Sequence, residues 1–321
     1  MLLGRLNVLK KRVLVTGGAG FIGSHLVRRL VADGAEVVVI DDLSMGDASK
    51  VDPGAQLMAL DVRSMETSRV IKDFKPDVVF HLAAQINLRR SLQQPLEDAS
   101  INILGSVNVI QSLVESAEDI SKVKFIFSST GGAIYGDVDV LPTPETVEPN
   151  PLSPYGVAKF SVEKYLYYYH VVHGLPYVSL RYSNVYGPGQ STKGEAGVVA
   201  IFLEKMLSGE TPIINGDGTQ TRDFVFVEDV VEANIKAAYA NAVGVFNIGT
   251  GKESSVLDIF EHLKQYVGKD FPKVHGPAIP GELQRSCLDY SKAREVLGWE
   301  PKVDLAEGLR ITTEAFAHEL R

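Results

Sequence analysis

The first half of the chain alternates between two hydrophobic periods. Short apolar runs stand at 12–16 (RVLVT), 36–40 (EVVVI), 56–60 (QLMAL), 77–82 (DVVFHL), 124–129 (KFIFSS) and 177–181 (YVSLR). Each is rich in Val, Ile, Leu or Phe and is bounded by polar residues or Gly, which predicts buried strands. Between them the period lengthens. Leu26 and Leu30 share a face in GSHLVRRLVADG, and Val107, Ile110, Leu113 and Val114 do so in SVNVIQSLVESA, which predicts helices. Strand–helix alternation of this kind predicts an α/β fold: a Rossmann-type, doubly wound parallel sheet with helices on both faces.

After about residue 183 the rhythm changes. GVVAIFLEKMLSG, VLDIFEHLKQYVG, SKAREVLGW and LAEGLRITTEAFAHEL carry helical patterns, with only short strands such as DFVFV and VFNIG between them. The expectation is a dinucleotide-binding domain over 1–182, rejoined by 224–249, and a smaller, mostly helical substrate domain over 183–223 and 250–321. A ligand between the two would sit at the carboxyl ends of the strands.

Composition narrows the function. The chain has 321 residues, 45% apolar and 22% charged, with net charge −8. An acidic chain argues against a nucleic-acid-binding surface, which needs clustered Lys and Arg. The single cysteine, Cys287, excludes an intrachain disulfide and a Cys-based zinc site. No metal site is expected. No apolar run reaches membrane-spanning length and the first residues lack a cleavage pattern, so a soluble cytoplasmic protein is expected.

The segment VLVTGGAGFIGSHLV places Gly17, Gly20 and Gly23 between a strand and a helix. One Gly allows the tight turn, one admits a pyrophosphate to the backbone, and one lets helix and strand pack closely. The helix N-terminus, opening with Phe21 and Ile22, would hold the negative charge. Asp41 ends the second strand about twenty residues on, where a carboxylate accepts ribose hydroxyls and repels a 2′-phosphate. NAD is therefore expected over NADP. Asp61 and Val62, at the end of the third strand, are candidates for the adenine end.

In SPYGVAK, Tyr155 precedes Lys159 by one helical turn, so the two share a face. A nearby ammonium favours the phenolate, which could take a proton from a sugar hydroxyl while NAD takes a hydride. The preceding strand ends in Ser128, Ser129 and Thr130 at the sheet edge. A hydroxyl there could share the proton; Ser129 is the one more readily spent on nearby backbone.

With these residues in view the chain resembles the extended short-chain dehydrogenase/reductases. Within them it is similar to the nucleotide-sugar epimerase/dehydratase group, and most of all to UDP-glucose 4-epimerase-like proteins. The likeness runs through TGGAGFIGSH, HLAAQ, FSSTGGAIYG, SPYGVAK, LRYSNVYGP, GDGTQTRDFVFVEDV and FNIGTG. It implies that Tyr155 is the base, Lys159 holds the nicotinamide ribose and Thr130 is the hydroxyl partner. It implies that Leu82, Ala83 and Ala84 line the nicotinamide site. On the substrate side it implies contacts from Gln85, Asn184 and Arg222, the last on the diphosphate, and helix N-terminal amides from EAGVVAIF, including Val199. A homodimer through a four-helix bundle is also implied, since SVNVIQSLVES and KFSVEKYLYYYHVV carry more apolar surface than one sheet face needs.

Two departures stand out. The family usually carries Arg-x-Gly-Asp near the C-terminus, the Arg touching a phosphate and the Asp a nucleotide ribose; AIPGELQRSC has Ile279 and Glu282 there, and Glu282 keeps the carboxylate. The loss of that Arg suggests that Arg89 or Arg90, in INLRRS, compensates, with Arg89 as the candidate site residue. Ser286 is small where a large residue would restrict the sugar pocket, which suggests UDP-GlcNAc as a possible substrate. Three functions follow: a C4 epimerase, which is favoured; a dehydratase using the same C4 oxidation; and, last, a non-catalytic dinucleotide sensor. Gly131 and Gly132 stand where ordinary 4,6-dehydratases carry an Asp-Glu pair, which disfavours that version of the second.

Overall fold

The inner strands of the central sheet are covered on both faces, which is why they read as unbroken apolar runs rather than as alternation. The computed structural model describes residues 11–192, 197–279 and 281–319. In chain order the first half runs β1 (Arg12–Thr16), α1 (Phe21–Ala32), β2 (Glu36–Asp41), β3 (Gln56–Ala59), α2 (Met65–Phe74), β4 (Val78–His81), α3 (Leu88–Gln93), α4 (Pro95–Ala99), α5 (Gly105–Ser116), β5 (Lys124–Thr130), α6 (Gly131–Ile134), α7 (Pro154–His173) and β6 (Tyr177–Tyr182). The second half runs β7 (Asn184–Tyr186), α8 (Val198–Leu207), β8 (Ile213–Asn215), β9 (Thr221–Arg222), β10 (Phe224–Phe226), α9 (Val227–Tyr239), β11 (Gly244–Ile248), β12 (Ser254–Ser255), α10 (Val256–Val267), β13 (Val274–Gly276) and α11 (Leu305–Glu319).

Seven strands form one parallel sheet in the order β11-β6-β5-β4-β1-β2-β3. The chain turns in opposite directions after β1, to β2 on one side and later to β4 on the other. That reversal opens a crevice at the carboxyl ends of β1 and β4, where Thr16 stands opposite His81 in register. Successive side chains of each strand serve opposite faces. Val13 and Val15 join Leu26 and Leu30 of α1 and Val230 and Val231 of α9, while Leu14 joins Ile110, Leu113, Val162 and Leu166 of α5 and α7. A third cluster, with Phe202, Leu203, Phe260, Leu263 and Phe316, holds α8, α10 and α11 together.

Two elements differ from the sequence expectation. The helical pattern at 291–299 is realised over 291–297, but its last five residues, Ala293–Leu297, widen into a π-helix that Gly298 ends at φ +62. Trp299 then buries completely, its indole N–H donating to the carbonyl of Asp229 at 2.8 Å. The apolar run at 223–227 supplies β10, which pairs with β7 outside the large sheet. Among the described residues no helix is long and apolar enough to cross a membrane.

One buried charge pair fixes α7 against the sheet. Glu163 accepts from Arg181 Nη2 at 2.6 Å and Nε at 3.0 Å, and from the Ser129 hydroxyl at 2.6 Å. The two side chains are 3% and 4% exposed. Arg181 also donates to Tyr135 Oη at 2.8 Å, and Tyr135 donates to Asn247 of β11. Removing one member leaves the other charged and dry, which is costlier than losing the attraction alone. Glu163→Ala is expected to destabilise the protein by about 3–5 kcal/mol in urea unfolding; a loss under 1 kcal/mol would mean that water or another group replaces the carboxylate.

Candidate active site

The glycine turn is shaped by contacts that forbid side chains. Gly17 has φ +72, and a Cβ there would lie 2.6 Å from the Ala83 nitrogen. A Cβ on Gly23 would lie 2.1 Å from the Gly17 carbonyl oxygen. Gly20 is less crowded: a Cβ there would lie 3.3 Å from the Gly17 carbonyl oxygen, at the start of α1. No side chain caps α1, whereas Ser64 caps α2, Ser153 caps α7 and Ser255 caps α10. The first-turn amides of α1, beside Phe21 and Ile22, are therefore left for an anion.

Asp41 is buried at the end of β2. Its Oδ2 accepts from the Ala19 amide and its Oδ1 from the Leu43 amide, both at 2.9 Å. Burial pushes its carboxyl above the usual range and the two amides pull it back. Each oxygen keeps a lone pair for a ribose hydroxyl. Asp61 is engaged by Arg63 through Nε and Nη2, which holds its carboxyl below the usual range. Val62 is buried beside Gly105, where a Cβ would meet it at 2.7 Å. Leu82, Ala83 and Ala84 follow β4 half-buried, with the Ala83 amide donating to Thr16 Oγ1. Bare glycines, unspent amides and a buried carboxylate make a donor set that fits a dinucleotide.

Beneath this loop His81 is completely buried. Ser106 donates its hydroxyl to the Asn102 carbonyl at 2.6 Å, so it can only accept from His81 Nε2 at 2.8 Å. Thr16 then donates to His81 Nδ1 at 2.7 Å. The ring is thus a neutral Nε2–H tautomer, with its pKa pulled down to about 3 by burial and by the charge of Lys159. It is a buried strut, not an acid or base.

Lys159 reaches the end of β5 through the Ser128 carbonyl, with the Tyr155 ring beside it, and β5 closes on Thr130. Ser153 accepts the Gly156 amide at 3.1 Å and Pro154 starts the helix. Gly156 presses against α6, since a Cβ there would lie 2.3 Å from the Ala133 carbonyl oxygen. Thr130 caps α6 by accepting the Ala133 amide at 3.2 Å, which leaves its own hydroxyl proton to give. Ser129 is instead spent on Glu163.

The buried Lys159 donates to the Ser128 carbonyl at 2.8 Å and lies 5.9 Å from the Tyr155 ring centre. Burial pulls its pKa down to about 8, while Asp98 and Glu163 draw it back up. The spacing of Tyr155 and Lys159 suggests a depressed phenol, but here the phenol is pushed upward, first by burial and then by the charge of Asp98. The ammonium is turned to Ser128, so it does not offset either.

Several substrate-side residues sit differently from expectation. Gln85 is buried with its amide spent internally: Nε2 donates to Asp98 and to the Asn87 carbonyl, and Oε1 accepts the Asn87 amide. Its backbone is clasped in both directions by Asn102. Asn184 is exposed, with its Oδ1 3.8 Å from where a Gly132 Cβ would stand. Arg222 pairs with Glu282 at 3.0 Å. Val199 buries its side chain, and α8 starts at Gly197 with no side-chain cap, leaving amides for a phosphate. The preceding Glu195 and Ala196 lie outside the described residues. Ser286 is partly exposed, and Arg89 is exposed on α3.

The motifs missed Asp98, Asn102 and Ser183. Asp98 and Asn102 are four apart and bond each other across the loop after β4, a helical pairing that PLEDASIN could have suggested. Asp98 Oδ2 and Ser183 Oγ are buried with no hydrogen-bond partner. Nothing local in the sequence marks Ser183. Among the described residues no cluster fit to hold a metal ion occurs.

Residues 13–249 match the model of the NAD-dependent epimerase/dehydratase family. The chain is 44% identical to the UDP-glucose 4-epimerase of Mycolicibacterium smegmatis, over 96% of this chain and 99% of the relative. It superposes on the Thermotoga maritima UDP-glucose 4-epimerase, solved with UDP-glucose, with TM-score 0.94 and 48% identity, covering 97% of this chain and 100% of that one. It also resembles a UDP-N-acetylglucosamine 4-epimerase from Methanobrevibacter ruminantium, solved with UDP-N-acetylmuramic acid, with TM-score 0.91 and 34% identity over 97% and 99% of the chains.

The neutral His81 sets a pH dependence. Its folded pKa lies below the 6.5 of a free imidazole, so the unfolded chain binds the extra proton. The stabilisation is full above pH 6.5 and is lost as pH falls toward 3. In acid-unfolding curves His81→Asn is expected to flatten that fall by a few kcal/mol; an unchanged slope would show that other groups carry it.

Proposed function

The chain belongs to the NAD-dependent epimerase/dehydratase family, and from that premise we propose that it is a UDP-hexose 4-epimerase interconverting UDP-glucose and UDP-galactose. The observation that carries this reading is that Lys159 reaches the Ser128 carbonyl at the end of β5 with the Tyr155 ring beside it, two residues before Thr130. Asp41 and the amides of α1 would hold NAD, with Lys159 at the ribose nearest the reacting carbon. When bound, NAD would supply the acceptor for the C4 hydride, and its positive ring would favour the phenolate of Tyr155. Tyr155 takes the C4 hydroxyl proton, and Thr130 hydrogen-bonds the same oxygen. Arg222 and the α8 amides anchor the diphosphate while the 4-keto sugar turns over, and Asn184 contacts the sugar nucleotide. On this reading residues 183–223 and 250–321 form the sugar-nucleotide side of the cleft.

Elimination by an Asp-Glu pair after Thr130 is disfavoured by packing. A side chain at Gly131 would lie 2.4 Å from Leu288 Cδ1, so an acid there would displace a buried leucine. The small, partly exposed Ser286 favours a second substrate with an N-acetyl group at C2, UDP-GlcNAc. The overall reaction is tested by proton NMR of UDP-glucose and UDP-GlcNAc with the purified protein. Inversion at C4 without net redox is expected, and loss of the C5 proton would refute epimerisation. Tyr155→Phe is expected to lower kcat at least 100-fold with NAD still bound; unaffected turnover would sink the assignment.

The apolar residues left outside on α7, on α4 and in the segments just before α5 and α7 support a homodimer through this region. Leu96, Leu104, Leu152, Tyr167, Val171 and Val172 are each about 60% exposed or more, more than a monomer usually leaves on one face. Sedimentation velocity is expected to give a dimer, and Val171→Glu a shift toward monomer; a wild-type monomer at micromolar concentration would overturn the dimer.

A further inference from the structure

Arg222 and Glu282 come from chain segments far apart and meet where β9 runs beside residues 281–285. Arg222 Nη2 donates to Glu282 Oε1 at 3.0 Å, and Nη1 donates to the Thr221 carbonyl at 2.8 Å. The side chains are 17% and 25% exposed, so the pair is partly shielded from water. Burial works against the charge of Arg222 and Glu282 works in its favour.

The segment bearing Glu282 is built to keep it there. Gly281, at φ +78, closes a turn in which the Glu282 amide donates to the Ile279 carbonyl at 3.2 Å. The Gln284 carbonyl accepts the Thr221 amide at 2.9 Å and pins the segment to β9. Arg285 is spent on Glu253 through Nε at 2.9 Å and Nη2 at 2.5 Å, and Glu253 also takes the Thr221 hydroxyl. Ile279 carries no charge. Arg222 is therefore the cation that the segment leaves for Glu282.

From this geometry we infer that Glu282 is an internal competitor of the substrate's diphosphate for the guanidinium of Arg222. The inference rests on the UDP-sugar reading above. One face of the guanidinium already serves Thr221, so a diphosphate must displace the Glu282 carboxylate or sit beside a like charge. Either course lowers diphosphate affinity, and the returning carboxylate helps to expel product. Glu282 thereby sets the balance between holding the nucleotide and releasing it, a role beyond any contact it makes to ribose.

The test is isothermal titration calorimetry of UDP and of uridine with wild type, Glu282→Gln and Glu282→Asp. UDP is expected to bind the Gln variant about tenfold more tightly, and the Asp variant, one methylene too short to reach Arg222, more tightly by a smaller factor. Uridine, which has no phosphate, is expected to gain nothing. Equal or weaker UDP binding by the variants overturns the inference, as does an equal gain for uridine. If the Gln variant folds poorly, the Asp variant carries the same comparison. Failure of UDP to bind wild type overturns the UDP-sugar reading itself.

Discussion

Glu163 ties the helix that carries Tyr155 and Lys159 to two strands at once, through Arg181 on β6 and Ser129 on β5. It stands one turn beyond Lys159 on the same face, so whatever fixes Glu163 fixes the lysine. Ser129 and Arg181 are opposed in register across β5 and β6, which brings both donors to a single carboxylate. The network continues through Tyr135 to Asn247 on the edge strand β11. The far side of the sheet and the start of α7 are thus held by one chain of hydrogen bonds, and every member is buried and partnered. Such a network has little slack, because loosening any member exposes a charge to a dry interior.

A second set of buried polar groups sits under the loop after β4. Asn102 holds the backbone of Gln85 in both directions and Asp98 takes the Gln85 amide. His81 links β4 to Thr16 and to Ser106 on α5. Asp98 acts on the site at a distance as well, raising the pKa of both Tyr155 and Lys159 by its charge. The loop that meets Gly17 is therefore a rigid floor and not a mobile strap.

The sheet was largely legible in the sequence because its strands are short apolar runs with clear punctuation. All six runs in the first half end within a residue of the observed strands, and β5 extends one further to Thr130, which caps α6. The glycine turn was legible because its spacing encodes contacts that exclude a Cβ. What was not legible depends on partners remote in the chain. Gln85 sits in a motif beside the cleft, yet its amide is consumed by Asp98 and Asn87. Tyr155 and Lys159 have the right spacing, yet burial and Asp98 decide the phenol's proton. The helix at 291–297 widens at its end, and Trp299 beyond it bonds the carbonyl of Asp229, a partner remote in the chain.

The edge strand β11 returns to the sheet only after the long excursion that follows β6. A ribosome therefore releases six strands of the sheet well before the seventh. Until residues 244–248 emerge, β6 presents an open row of backbone donors and acceptors, and Tyr135 lacks Asn247. An unpaired strand edge is a template for pairing with other chains. A nascent or truncated chain stopping before β11 thus carries the sticky edge that the finished molecule conceals, which makes the excursion over residues 183–243 a matter of solubility during synthesis as much as of ligand binding.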